Sequence, residues 1–550
     1  MDRRKFLKNS SLATAGLVGS TMLGPASLLQ QCTGERKKPN ILIILSDDLG
    51  FSDIGCFGSD IQTPNIDRLA SNGIKFTQFY NTARCSPSRA SLLTGLYPHQ
   101  TGLGHLATTQ IKSLPHYQGY LNHNCVTMAE VLKNEGYRTL MTGKWHVGRR
   151  EEAWPTNRGF DRFYGEHTYV DGYFTPTNQL YLNGEKVEPE GEDWYSTDAY
   201  TDYALNFLDE DPDGEKPFFL YVAYNAAHFP LQAFQSDIDK YRGAYMKGWD
   251  TLREEKYQRL IDMDIIDPRW ELTPRDADAP DWEGVKDKVR EDLKMASYAA
   301  QIDRMDQNIG RLLDRLEERG ELDNTLILFL QDNGASCEDW INRRNPEGVL
   351  PGDRTSMIAY GLPWANASNT PFRLFKIWVH EGGISTPLIA HWPDRIKNPG
   401  TISREVGHVM DLMPTVLDAT GATYPGSYNG YDITPVEGKS LMPVFTQGTR
   451  EGHEAIGWEH QKNTAFRKGK FKIARAYENY NKKEFRENVP PGQWQLYDME
   501  RDRTEMHDLS EKHPDILEDL VSDYQAWADR VGITNWDTVV EERRKQREKG

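Results

Sequence analysis

The 550-residue sequence predicts an α/β fold. It consists of a large mixed β-sheet sandwiched between helices, then a small C-terminal antiparallel sheet packed on one helix. Three observations carry this prediction. The runs 40–45, 218–224 and 325–330 are short, apolar and often β-branched, the pattern of strands buried on both faces. Between the last two, Val289, Leu293, Ala296, Ala300, Met305, Ile309, Leu312 and Leu316 recur at three- and four-residue steps and stop at Gly320, which predicts a helix with one face in the core. After about residue 437 the pattern shifts to short strands such as Phe466–Ile473 and a helix near Pro514–Arg530.

Taken in chain order, residues 1–35 read as an export signal. Arg3, Arg4, Lys5 and Lys8 precede a weakly apolar run from Leu12 to Leu29 that Pro25 interrupts, too short and broken for a bilayer span. The Arg-Arg-x-Phe-Leu-Lys start is similar to the twin-arginine type of signal, so the expected location is the periplasm or cell surface. Cys32, after Leu28-Leu29-Gln30-Gln31, is a candidate lipidation site that would tether the chain to a membrane. The formal charge of −17 argues against a nucleic-acid partner, which needs a basic field. An anionic substrate must therefore be drawn by a local cationic pocket. Cys56, Cys125 and Cys337 form no disulfide pattern, and no Cys/His spacing points to structural zinc.

Four predicted strands end in ionisable or amide side chains. The first runs into Ser46-Asp47-Asp48-Leu49-Gly50, and a strand over 138–142 runs into Gly143-Lys144-Trp145-His146. The strand over 218–224 leads to Asn225-Ala226-Ala227-His228, and that over 325–330 to Gln331-Asp332-Asn333-Gly334. Open α/β sheets bind ligands beyond the carboxyl ends of their strands. Asp and Asn are also ordinary turn and cap residues, but turn chemistry alone does not explain four such ends.

Between the first two of these strands lies Cys85-Ser86-Pro87-Ser88-Arg89-Ala90-Ser91-Leu92-Leu93-Thr94-Gly95. Proline suits the first position of a helix, so the helix is predicted to start at Pro87 with Cys85 just ahead of it. Orphan N–H groups and the positive end of the dipole then face Cys85, and Arg89 reaches the same anion. A lone cysteine is more often a buried hydrophobe. In this setting it reads as a reactive group inside an anion site.

The eleven-residue string resembles the sulfatase signature Cys-x-Pro-Ser-Arg-x-x-x-Leu-Thr-Gly. With Ser46–Gly50, Gly143–His146, Asp332–Gly334, the Lys376…Glu381-Gly382-Gly383 segment and Trp494–Leu509, it is similar to the arylsulfatase branch of the alkaline phosphatase superfamily from Pro39 to about Leu509. The resemblance implies that a maturase oxidises Cys85 to Cα-formylglycine. It also implies one Ca2+ ion held by Asp47, Asp48, Asp332, Asn333 and the modified Cys85, an all-oxygen set that suits a hard cation. By the family scheme the hydrated aldehyde attacks sulfur, and His228, assisted by Lys376, protonates the departing alcohol. His146 then removes the proton that lets sulfate leave, while Arg89 and Lys144 hold the hydrate and the sulfate oxygens. Residues 36–436 are read as the catalytic domain and 437–550 as a C-terminal subdomain whose Glu/Arg/Lys-rich end, from Glu541, is solvated or frayed.

Two stretches are expected to shape the pocket, Phe160–Trp194 with an Asn183-Gly184 hairpin turn and the long irregular segment Gly334–Phe372. The expected substrate is a sulfated small molecule or glycan. Two other readings stay open: a phosphonate or phosphate ester hydrolase of the same superfamily, and a non-catalytic binder of sulfated glycans if Cys85 is never modified.

Overall fold

Alternation inside the apolar runs decides the architecture. In the first strand, β1 (Asn40–Ser46), Ile41, Ile43 and Leu45 enter one hydrophobic core while Leu42 and Ile44 enter another on the opposite face. A strand covered on both sides belongs in the middle of a sheet with helices above and below. The structure, a computed structural model, describes residues 37–168, 172–176, 179–477 and 488–549. Pro39–Gly550 forms one compact unit. The predicted export segment and Cys32 lie outside the described residues.

Strands β2 (Ile74–Tyr80), β3 (Arg138–Lys144), β4 (Arg162–Glu166), β5 (Leu180–Leu182), β6 (Glu185–Val187), β7 (Phe218–Ala223), β8 (Thr325–Gln331), β9 (Ser385–His391), β10 (Thr401–Ser403) and β11 (Gly407–His408) complete the large sheet. Their order is β10-β2-β9-β8-β1-β7-β3-β4-β5-β6, with β11 also on β2. The central five, β8, β1, β7, β3 and β4, are parallel, whereas β9 runs antiparallel to both β8 and β2. Four carboxyl ends therefore open on the same edge. Register makes this close: Ser46 of β1 sits opposite Gln331 of β8, so Asp47 and Asp332 leave the sheet side by side. Strands β5 and β6 turn at Asn183-Gly184, both at positive φ.

The predicted stripe is the 31-residue helix Lys288–Glu318, whose face from Leu293 to Leu316 is buried. Val289 is 56% exposed, so the buried face begins one turn later than the pattern suggests. A small ribbon, β12 (Ser427–Tyr428) with β13 (Tyr431–Asp432), precedes a four-stranded antiparallel sheet of β14 (Ala455–His460), β15 (Asn463–Lys468), β16 (Phe471–Arg475) and β17 (Gln495–Asp498). The segment Phe466–Ile473, expected as one strand, is the turn of a hairpin in which Phe466 faces Ile473 across the β15–β16 ladder. Gly469 supplies the positive φ that reverses the chain.

Helix Pro514–Val531 lays Leu520, Tyr524, Trp527 and Val531 on this sheet. The Trp527 ring lies so close to Gly457 that a Cβ there would meet it at 2.4 Å. A second helix, Trp536–Lys549, replaces the frayed end that was expected. Its Val539 packs with Ile111 and Tyr117, which is the contact that orders it.

The two sheets are locked together by buried charge. Lys472 of β16 donates to Glu381 (2.9 Å) and pairs with Glu505 (2.8 Å). Arg503 donates to Glu381 (2.9 Å) and to Ser385 Oγ of β9 (2.7 Å). Removing one partner from a buried pair strands the other and costs about 3–5 kcal/mol.

Candidate active site

Beyond the edge where the parallel strands end, the side chains of Asp47, Asp48, Asp332 and Cys85 converge. Each offers one ligand atom, and those atoms lie within 4.8 Å of one another. Asp47 is fixed by its backbone, which donates to Ala226 O (2.8 Å) and accepts from Ala227 N (2.7 Å). Asp48 has φ 58°, a left-handed turn that Asp tolerates better than most residues. Its Oδ1 accepts from Lys376 Nζ (2.6 Å) and Asn333 Nδ2 (2.7 Å).

Helix Cys85–Thr94 delivers the sulfur. It begins at Cys85, two residues earlier than Pro87 predicts, so Cys85 occupies its first turn rather than the position before it. Ser88 N bonds back to Arg84 O (2.9 Å), and the thiol lies 3.6 Å from Asp47 Oδ1. One turn on, Arg89 donates from Nε to Asp332 Oδ2 (2.9 Å) and from Nη1 to Lys144 O (2.7 Å), with Nη2 3.7 Å from Asp47. Arg89 thus grips carboxylates and the end of β3 together.

Lys144, the last residue of β3, bonds Asp47 Oδ2. His146, at φ 59°, and His228 line the same cavity. His228 Nδ1 meets Phe229 O at 2.6 Å, which turns Nε2 toward Asp48 Oδ2 at 3.5 Å. All six predicted catalytic side chains and all five predicted ligands are therefore at this edge, each buried.

Burial governs the protonation states. It pushes the Cys85 thiol up to about 12, and Asp332 and Asp47 push the same way against Lys144 and Lys376. An unmodified thiol here stays protonated at neutral pH and is a weak nucleophile. Burial and then Asp47 push Asp332 up to about 7, the response of a carboxylate held beside another in a buried spot. His146 is driven well below its usual range by burial and by Lys144. His228 is lowered by burial, with Asp48 opposing.

Over these groups lies a cavity of about 180 Å³. Its wall includes residues that the sequence did not single out: Arg84, Leu106, Thr108 and Glu338. Arg84 and Glu338 form a two-point ion pair (3.1 and 3.3 Å), and Lys376 lies 3.7 Å from the same carboxylate. These cations hold Glu338 down at about 2 against the opposing effect of burial. Arg84 could have been found from its place before Cys85. Glu338 lies 254 residues away, beyond any local signal. The segment expected to be irregular holds a short 3-10 helix (Trp340–Arg344) and an α-helix (Leu362–Ser368); Trp340 also lines the cavity and stacks edge-on against Phe229 at 5.7 Å.

The fold and this edge define a class: an alkaline phosphatase-like α/β hydrolase with a thiol-bearing helix start among acidic and basic side chains. The Sulfatase family profile matches residues 39–422, and the profile described as N-sulphoglucosamine sulphohydrolase, C-terminal, matches 372–526. An uncharacterized sulfatase of Schizosaccharomyces pombe is 34% identical over 538 residues, covering 91% of this chain and 95% of that one. The arylsulfatase of Klebsiella aerogenes is 32% identical over 457 residues, covering 78% and 96%. Among solved structures, Ps i-CgsB in complex with k-i-k-neocarrahexaose is 26% identical with a TM-score of 0.65, covering 90% of this chain and 93% of that one. The chain belongs to the sulfatase family and is a sulfuric ester hydrolase.

Proposed function

We propose that this protein removes sulfate from sulfated carbohydrates, using a Cα-formylglycine made from Cys85 and one Ca2+ ion. The observation that carries the reading is the meeting of Cys85 with Asp47, Asp48 and Asp332 within 4.8 Å at a helix start. The residues fit a hard cation. Asp48 Oδ2 and Asn333 Oδ1 are buried with no hydrogen-bond donor, and the donor set of three carboxylates and an amide is all oxygen. Ca2+ would be held by Asp47, Asp48, Asp332, Asn333 and the oxygen that replaces the Cys85 sulfur. When bound, the ion and the aldehyde hydrate supply a polarised oxygen nucleophile at neutral pH.

The remaining work falls to the chain's own side chains. A sulfate monoester brings negative charge to the reacting centre, and more develops on the leaving oxygen. Arg89, Lys144 and Lys376 are fixed in place before the substrate arrives, so they stabilise that charge without reorganising. His228 turns Nε2 into the cavity and is assigned proton delivery to the leaving alcohol, assisted by Lys376. His146, kept neutral by burial and Lys144, is assigned removal of the last proton at position 85.

The sugar class is inferred from the complex of the structural neighbour with k-i-k-neocarrahexaose. The reading includes a catalytic domain over 36–436, a C-terminal subdomain over 437–550, a maturase partner and export to the periplasm or cell surface. Lipidation at Cys32 would add a membrane tether. Among the described residues no helix is long and apolar enough to cross a membrane.

Mass spectrometry of the peptide containing position 85, together with turnover of an aryl sulfate, tests the proposal. Active protein is expected to carry an aldehyde there. Full activity with an intact thiol would overturn it.

A further inference from the structure

We propose that a groove beside the catalytic cavity, lined by Gln110, Lys112, Gln118, Tyr120 and Arg150, is a second subsite that binds an anionic group on the neighbouring sugar of an oligosaccharide substrate. The proposal rests on the carbohydrate reading above and extends it. The groove encloses about 360 Å³, enough for a small ligand group.

Two chain segments run from one cavity to the other. The first passes from Leu106 and Thr108 in the catalytic wall to Gln110 and Lys112 in the groove; the second passes from His146 to Arg150. Thr108 to Gln110 spans at most about 7 Å of chain. The second segment also meets the stretch that carries Tyr120, since Leu121 N donates to Val147 O (3.1 Å). At Gly148, φ 158°, a Cβ would meet Ala153 at 2.5 Å and Tyr120 at 3.1 Å. The absent side chain is what lets this segment lie against Tyr120 of the groove and against Ala153.

The groove is built, not incidental. Helix Trp536–Lys549 braces its outer loop: Gln546 accepts from Lys112 N (3.0 Å) and donates to Gln110 O (2.8 Å), and Ser113 Oγ donates to Glu542 (2.8 Å). Beneath, Ile111 is buried on Val539. Arg150 lies 4.6 Å over the Tyr120 ring with Nη1 3.5 Å from its hydroxyl, a cation–π seat that fixes the guanidinium. Its pairing with Glu152 is long, 3.6 Å, and about half exposed, a contact worth little. Lys112 adds a second cation. On a chain of net charge −17, two cations in a groove reached from the catalytic wall along two chain segments favour an anionic group over a neutral one.

The test uses the matured full-length protein and an aryl sulfate, with sulfated galactan oligosaccharides of two, four and six sugars as competitive inhibitors. The inhibition constant is expected to fall about ten-fold from the shortest to the longer ones. The Lys112→Ala, Arg150→Ala double variant should lose that gain while its kcat and KM for the aryl sulfate stay within about two-fold. Equal inhibition at all lengths, or a length gain that survives in the double variant, overturns the subsite and leaves the reaction untouched. Failure to hydrolyse the aryl sulfate sinks the reaction itself and the subsite with it.

Discussion

Two buried charge clusters lie on this fold, built from the same residue types. In the clamp between the sheets, Glu381 and Glu505 face Lys472 and Arg503. Both Glu381 oxygens are bonded, one to Lys472 and the other to Arg503 and Tyr80; Glu505 accepts from Glu381 N (2.9 Å) on Oε2, and its Oε1, which has no hydrogen bond, is held by the Lys472 ammonium at 2.8 Å. At the candidate active site, Asp47, Asp48 and Asp332 face Arg89, Lys144 and Lys376, yet Asp48 Oδ2 and Asn333 Oδ1 are left without donors and a cavity opens above them. Closed pairing stabilises, whereas incomplete pairing beside a cavity leaves room for an ion and a substrate. If this distinction is real, the two clusters will fail differently.

The largest expected effect is on catalysis. Cys85→Ala removes the nucleophile precursor and should lower turnover of an aryl sulfate by more than about 10³-fold, while the thermal midpoint stays near that of the parent because a small apolar residue still fits the helix start. A parallel collapse of stability would mean that the active cluster is also a structural one. Lys472→Met should do the reverse. It leaves Glu381 and Glu505 short of a cation in a fully buried site and is expected to destabilise by about 3–5 kcal/mol, read by denaturant unfolding. The residual folded fraction should keep its KM.

Removal of the ion separates the clusters a second time. Treatment with a Ca2+ chelator is expected to lower stability by about 3 kcal/mol, the linkage expected when free ion is near a hundred times its dissociation constant, and to abolish turnover. Both should return with Ca2+. The open oxygens of Asp48 and Asn333 are the reason. Chelator added to Lys472→Met tests coupling: the same loss as in the parent shows independent clusters, and a smaller one shows coupling through the Gly334 N–Gly383 O bond (3.0 Å) between them. An unchanged melting curve on chelation would remove the metal from the proposal.

Much of the site was legible because catalysis is concentrated where strands stop. The runs leading to Asp47, His228 and Asp332 are apolar, so they read as strands buried on both faces, and parallel neighbours deliver their ends to one edge; the strand to Lys144, with Arg138, Thr139 and Thr142, lacks that pattern and gains its place by pairing with β4 and β7. Register and the bend at Asp48 add proximity that sequence can only suggest. The Arg84–Glu338 pair was illegible for the opposite reason, as it depends on two loops meeting across 254 residues. The helix Trp536–Lys549 was legible in part, since its end from Glu541 is mostly exposed as its charge suggests but is helical, not frayed. Its charged composition reads as solvated, and its order comes from Val539 and Gln546 gripping a loop more than 400 residues earlier. At 466–473 a mixed apolar and basic pattern concealed the turn, because Gly469 is a weaker signal than an Asn-Gly pair.

The smallest effect concerns the pair that lies between the two types. Glu338 is closed by Arg84 like the clamp, yet it faces the cavity like the active cluster. Its folded pKa of about 2 lies below the roughly 4.3 of an unfolded glutamate. A carboxylate lowered on folding contributes stability that is complete above the unfolded value and is lost as pH falls toward the folded one. The contribution, about 3 kcal/mol at most, should therefore be present above pH 4.3 and fade below it. In Glu338→Gln the stability curve should start lower at neutral pH and fall less steeply between about pH 4.5 and 3. The same variant leaves Arg84 without its counter-charge beside the sulfate site, so KM for an aryl sulfate should shift by a few-fold, with kcat little changed. A Glu338→Gln curve parallel to the parent's through that acid limb would show that Arg84 does not hold the carboxylate, and Glu338 would then belong to the cavity alone.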